Sequence, residues 1–391
     1  MNLMSCRLIH LKQTFQGLLK TGIPLIEYDG TKLLPTFTSD DIGIYIIIPK
    51  LSYWFNISIE QASHLFFYGI LLLPCLIGVL GFLYYYQKIS TKIISSFALI
   101  LLMRQAYSVG DVYLSYYACV TALVPWSFYF STKQYSKKTL LFMFLAGLGI
   151  SFFHYIRAYS GLGVLFFMIA LFVLQQNYTK KELLFSVLAF VAGIYVPVRY
   201  FSYNYHQSVA YAQEHLKDVD IGENKHVFWH SIYIGFGFLQ EKNPDNIKYD
   251  DSIGIKKVQS INPSIKSINI EYEKTLKHEV INLIKNHWEF FIFTIFAKIG
   301  VLFWYLILFA NIGLIAALFY RKPLYLEYSF FLAFIVYSIF PILAIPIKEY
   351  SLGFISLAAL YGVISINYAI EYTSFSLSSL FCSISKKAKT S

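Results

Sequence analysis

The feature that most constrains this chain is a series of apolar runs, each about 17 to 22 residues long, separated by short charged patches. About 20 residues at 1.5 Å each cross the hydrocarbon layer of a bilayer. Inside lipid every backbone polar group must pair internally, so such runs form helices. A transmembrane β-barrel needs short segments of alternating polarity instead, and that pattern is absent. Only 14% of the residues are charged, against about 25% in a typical soluble domain.

Spans are predicted at 65–86, 92–109, 114–131, 139–156, 159–177, 182–203, 300–320, 325–345 and 350–369. The 92–109 span is the weaker one and contains Arg104. Residues 42–55 are apolar but short and contain Pro49 and Lys50, which predicts a re-entrant or interfacial helix. Ahead of them, "SCRLIHLKQTFQGLLK" has helical amphipathic spacing suited to a membrane surface. It lacks the form of a signal peptide. The chain therefore divides into an N-terminal amphipathic segment with a first external loop (1–64), a transmembrane bundle (65–203), a long external loop (204–288), C-terminal transmembrane helices (289–369) and a cytoplasmic tail (370–391).

The net charge of +10 sits largely in alternate short turns: "QKISTK", "STKQYSKK", "NYTKK", Arg321–Lys322 and the tail. The positive-inside rule places these in the cytoplasm, so the basicity reflects membrane orientation rather than nucleic-acid binding. The opposite turns, including those with Asp40–Asp41, Asp111 and Arg157 and the 204–288 loop, are then external. Nine spans with an internal C-terminus put the N-terminus outside, although no strong span precedes residue 40. The cysteines, Cys6, Cys75, Cys119 and Cys382, are scattered and suggest neither a disulfide framework nor a metal site.

The residues with chemical potential gather on the external side. Asp40 and Asp41 precede an apolar stretch, where a carboxylate pair suits a general base or a divalent cation, or equally the capping of a helix. Asp111 follows a glycine turn and invites the same two readings. Arg104, Arg157 and Arg199 fall near the external ends of spans; a guanidinium there suits a phosphate, which it holds bidentately, or snorkels to the interface. His154 and Arg157, three apart, are expected on one helical face. Lys298 in an apolar run is a further phosphate contact. In the long loop, His226 and His230 are four apart without a third metal ligand. Trp229 and Tyr233 suit an interface or a sugar face, and Asp250–Asp251 reads as an acidic, solvated turn.

Several of these stretches carry a resemblance. "SDDIGIY" followed by "PKLSYWFNISIEQA", then "WHSIYIGFGF", "NPDNIKYDD", and "YEKTL" ahead of "KNHWEFFIFTIFAKIG", resemble the GT-C superfamily of multi-pass glycosyltransferases. These are the polyprenyl-phosphate-sugar-dependent enzymes of the dolichyl-phosphate-mannose and aminoarabinose transferase type, and the likeness covers roughly 38–345. The resemblance implies an all-α polytopic integral membrane protein of GT-C-like architecture, with about nine or ten transmembrane helices and a long late external loop. It implies an inverting glycosyltransferase in the cell membrane, the bacterial inner membrane by preference, with its site facing the periplasm or exterior. Asp41 or Asp40 would be the catalytic base. Arg157, Arg199 and Lys298 would hold the donor phosphate, with His154, Asp111, Arg104, His230 and Tyr233 also contacting donor or acceptor. Asp40, Asp41 and Asp111 would be the ligands of any divalent cation, Mg or Mn. The partners would be a polyprenyl-phosphate-linked sugar, a lipid, glycan or protein acceptor, and membrane lipids, with no nucleic acid. The chain departs from the family pattern in having no strong membrane helix before the acidic loop. A polysaccharide polymerase or ligase, or a transporter or flippase of lipid-linked sugars, are the alternative readings; internal repeats of the kind transporters often show are not evident.

Overall fold

The computed structural model describes residues 5–36, 42–216, 228–239, 243–265 and 268–388. The chain is a polytopic all-α membrane protein. Among the described residues, seven helices are long and apolar enough to cross a bilayer: α3 (Ile59–Tyr85), α4 (Ile89–Tyr107), α6 (Lys137–Ile156), α8 (Lys180–His215), α12 (Trp288–Ala310), α14 (Leu324–Leu343) and α15 (Leu352–Ala388) over its apolar part Leu352–Thr373. Two others occupy predicted spans without meeting that standard. The first, α5 (Leu114–Ser131), carries Ser115, Thr121 and Ser127 and is buried along most of its length. The second, α7 (Leu162–Leu174), has 13 residues. The polar groups of α5 are enclosed by its neighbours, whereas α7 is apolar throughout and short of the length that crosses the hydrocarbon layer.

Local signals start these helices. Ser58 and Gln61 form a capping box on α3, and Thr179 and Glu182 form one on α8, each satisfying two orphan donors of the first turn. Glycines then bring helices together. A Cβ on Gly147 of α6 would sit 2.1 Å from the Phe190 carbonyl oxygen, and one on Gly193 of α8 would sit 2.0 Å from that of Phe144. Small residues permit this contact where lipid removes the hydrophobic drive between helices.

Three boundaries differ from the sequence expectation. The predicted 300–320 span straddles a break: α12 begins at Trp288 and ends at Ala310, Asn311 adopts φ 45°, and α13 (Ile312–Phe319) follows. The helix α8 has 36 residues and runs through the expected boundary at 203, a length of about 54 Å at 1.5 Å per residue. Finally, α15 continues to Ala388, through the stretch expected to form a tail from 370.

The N-terminal segment forms α1 (Ser5–Thr21), a hairpin of β1 (Ile26–Tyr28) and β2 (Leu33–Pro35), and α2 (Ile42–Phe55). The hairpin, which the sequence pattern did not predict, is antiparallel with Glu27 opposite Leu34. Its turn is built on Asp29. One carboxylate oxygen accepts from the Thr31 and Lys32 amides at 2.8 and 2.9 Å, and Gly30 supplies φ 102°. Those bonds, the Lys32 amide foremost, hold the Asp29 carboxyl down at about 2. Lys12 of α1 pairs with Glu60 in the first turn of α3 at 2.5 Å, tying this segment to one end of the bundle.

The long loop contains structure of its own. Beyond the end of α8 it carries α9 (Phe228–Gly235), a short 3-10 turn, α10 (Asp251–Ile261) and α11 (Ile270–Asn286). Its separate apolar core includes Tyr233, Phe236, Val258, Tyr272, Leu276 and Val280. Gly235 seats it on the bundle, since a Cβ there would lie 2.3 Å from the Ala344 carbonyl oxygen.

Candidate functional site

The bundle has two chemically different ends. One carries the lysine-rich turns after α3, α5, α7 and α13; the other carries Asp111, Arg157, the N-terminal segment and the helical loop. At the Asp111 end, Arg7 of α1 reaches Asp111 at 3.3 Å. Arg157 lies just beyond the end of α6, with its amide donating to the Phe153 carbonyl at 2.9 Å. The residue is 3% exposed. The guanidinium carbon sits 4.8 Å from the Tyr113 ring centre, 5.7 Å from that of Tyr350 and 5.9 Å from that of Phe340. Cation–π attraction of this kind strengthens when the charge is withdrawn from water.

Hydrogen bonds fix the turn that presents Arg157. The Tyr116 hydroxyl donates to the Ala158 carbonyl at 3.1 Å, and the Tyr337 hydroxyl donates to that of Ser160 at 3.0 Å. His154 Nδ1 accepts the Tyr159 amide at 3.1 Å, so its ring bears its proton on Nε2 when neutral. The expected shared helical face of His154 and Arg157 is not formed, because α6 ends at Ile156 and Arg157 has φ −147°. His154 instead braces the turn.

The cage extends through tyrosines. Tyr113 and Tyr350 meet edge to face at 5.1 Å, and the Tyr249 hydroxyl donates to that of Tyr350 at 3.1 Å. Tyr113, whose ring lies 4.8 Å from the Arg157 guanidinium, follows Asp111 by two positions, so the Arg7–Asp111 pair stands in the same turn region. Lys348, in the turn after α14, donates to the Ser108 hydroxyl beside it.

Other predicted residues lie elsewhere. Arg104 and Arg199 are exposed on α4 and α8 and do not join the Arg157 cage. Lys298 is buried, and its ammonium donates to the Ala344 and Leu343 carbonyls at 2.6 and 3.4 Å. It thus satisfies the orphan carbonyls at the C-terminus of α14. Tyr233 is packed in the core of the helical loop. His230, also buried, bonds Tyr272 and Asp251. Asp40 and Asp41 fall outside the described residues, as does His226. Among the described residues no group of three or more His, Cys, Asp or Glu is placed to hold a metal ion. Asp111 is engaged with the Arg7 cation, which competes with a metal for its oxygens.

Sequence reasoning missed Arg7, Tyr113, Tyr249 and Tyr350. The only signal for the tyrosines was adjacency, since Tyr113 follows Asp111 by two positions and Tyr350 closes "PIKEY".

An apolar groove of about 1020 Å³ runs between α3, α5 and α6. Its walls include Leu65, Leu73, Trp126, Phe142, Leu145 and Phe153, and it reaches from Phe153 toward Lys138 at the lysine-rich end. Gly69 and Gly149 widen it, since a Cβ on either would meet nothing within 4 Å. The Trp126 indole donates to the Ile77 carbonyl at 2.8 Å and ties α5 to α3. The chain matches no family model, and neither a curated protein nor a solved structure matches it significantly.

Proposed function

We propose that this protein is a membrane glycosyltransferase that takes a sugar from a polyprenyl-phosphate-linked donor and passes it to a hydroxyl acceptor at the outer face of the membrane. One observation carries the reading: Arg157, whose guanidinium is caged by aromatic rings, follows Phe153 of the apolar groove by four residues, and its amide bonds the Phe153 carbonyl. A lipid-linked sugar phosphate presents the same pairing, a long apolar chain ending in an anion. The positive-inside rule supports an external Asp111 end, because the lysine-rich turns occupy the other.

In this reading the isoprenoid chain lies in the groove and its phosphate meets Arg157. The acceptor oxygen attacks the anomeric carbon from the face opposite the phosphate, and the configuration inverts. Asp41 or Asp40 removes the acceptor proton, and the departing polyprenyl phosphate takes up the bonding electrons. A guanidinium placed before the reaction stabilises the charge that develops on the leaving phosphate. Its aromatic, water-poor surroundings strengthen that effect.

The test is transfer from a panel of radiolabelled polyprenyl-phosphate sugars to membrane acceptors, using membranes containing wild type, Asp40→Asn, Asp41→Asn and Arg157→Ala. Transfer by wild type that falls about a hundredfold in Arg157→Ala, with the protein still folded, is the expected result. Transfer that survives Arg157→Ala refutes the phosphate assignment, and transfer that survives both aspartate variants refutes the base assignment.

A further inference from the structure

The helical loop contains a hydrogen-bonded relay of Tyr272, His230 and Asp251. His230 is 6% exposed and uses both ring nitrogens: Nδ1 is 2.6 Å from the Tyr272 hydroxyl, and Nε2 is 3.1 Å from Asp251 Oδ1. A charged carboxylate facing Nε2 selects the tautomer with the proton there, so the Tyr272 hydroxyl donates to Nδ1. Tyr272 is itself buried. The aspartate at the end of the relay is the opposite, with its side chain 82% exposed. Carboxylates so open to solvent are ordinarily left to rotate. Here one is hydrogen-bonded by a buried histidine, which a buried tyrosine bonds in turn; such groups are costly to bury unless hydrogen-bonded.

The surroundings are shaped around this relay. A Cβ on Gly254 of α10 would come within 2.8 Å of His230 Nδ1 and 2.9 Å of the Tyr272 hydroxyl. Asp250, not Asp251, caps α10, accepting the Ser252 amide at 2.8 Å. The start of α10 is therefore secured without Asp251. Two residues back, Tyr249 bonds Tyr350, whose ring flanks Arg157. Burial drives the Tyr249 hydroxyl well above its ordinary value, and among the smaller influences Asp251 pushes it up while Arg157 pulls it down.

We infer that Asp251 binds the acceptor, receiving the hydrogen of one of its hydroxyl groups, and that His230 and Tyr272 are positioning residues that aim it. This assignment rests on the glycosyltransferase reading. It supplies that reading with an acceptor subsite on the helical loop, across the Tyr249–Tyr350 contact from the cage that holds the donor phosphate. The ligand class is a polyhydroxylated acceptor, a glycan or glycolipid headgroup.

Initial-rate kinetics on the full-length protein in membranes, varying donor and acceptor separately, tests it. Asp251→Asn raises the acceptor KM about tenfold or more, the worth of one hydrogen bond to a charged group, and leaves the donor KM within about twofold. Tyr272→Phe keeps the ring in the core and removes only the hydroxyl; it raises the acceptor KM about threefold, again without moving the donor KM. An unchanged acceptor KM in Asp251→Asn, or a parallel rise in both KM values, overturns the inference and leaves the transferase reading standing. No transfer by wild type from any donor refutes the transferase reading, and this assignment with it.

Discussion

Replacing Glu273 should loosen the element that carries His230, with little effect elsewhere. The first three residues of α9 donate their amides to the Glu273 carboxylate: Phe228 at 3.0 Å, Trp229 at 2.8 Å and His230 at 3.1 Å. Glu273 belongs to α11, so it caps α9 from another helix. Losing an ordinary N-cap side chain costs about 0.5–2 kcal/mol. Three donors to a charged acceptor put this site at the upper end, about 2 kcal/mol for Glu273→Ala. Glu273→Gln retains an acceptor oxygen without the charge and should cost about 1 kcal/mol. At about 1.4 kcal/mol per factor of ten, the α9 amides should exchange with deuterium about 30-fold faster in Glu273→Ala and about fivefold faster in Glu273→Gln. The assay is hydrogen exchange by mass spectrometry on detergent-solubilised protein, with peptides over 228–235 compared against α11 peptides over 276–286. Rates within about twofold of wild type in both variants would refute the argument.

The remaining tests separate the caged arginine from its neighbours in sequence. Arg157→Lys keeps a positive charge but loses the planar fork and its stacking, and should cut transfer at saturating acceptor by about tenfold or more, measured against protein recovered as a monodisperse species. Arg199→Ala and Arg104→Ala, both exposed, should leave transfer within about twofold in the same assay. Gly149→Leu places a side chain in open groove space; it should raise the KM for a long-chain donor and spare a short-chain analogue, and equal effects on the two would exclude the groove as the chain site. Glu27 is buried, and burial lifts its carboxyl above the ordinary 4.5 despite the favourable His10 contact. Its contribution to stability is therefore complete below pH 4.5 and lost as pH rises through the raised value. Limited proteolysis of the α1–hairpin unit should accelerate from pH 4 toward pH 8 in wild type, and this pH dependence should flatten in Glu27→Gln.

Run length made the membrane helices legible in the sequence, and loop length made the 204–288 region legible as separate. Depth in the membrane was also readable, because a charged residue near the end of an apolar run must lie near an interface. Direction around the helix axis was not. Arg157 and Arg199 sit at similar depth by sequence, yet one is enclosed by three rings and the other faces outward, a difference set by which helices pack together. Lys298 illustrates the same limit, since its partners are carbonyls 45 and 46 residues away. The break at Asn311 escaped notice because the apolar run continues through it, and hydropathy does not register a backbone turned to positive φ. The hairpin was short enough to hide beneath its turn residues.

Lys322 belongs to the turn after α13 and was counted among the charges that orient the chain. In the folded protein its side chain is fully enclosed, bonded to Glu327 at 2.8 Å and to the Ser365 hydroxyl at 2.7 Å, with its ammonium 4.2 Å from the centre of the Tyr361 ring. A lysine acts as a topology signal while the helices are entering the bilayer, before these partners have assembled. The same ammonium then becomes a latch between the start of α14 and α15. The two roles are separated in time, so the charge that directs insertion is absent from the finished surface. A surface-charge map of the folded protein would therefore omit a lysine that the positive-inside rule counts.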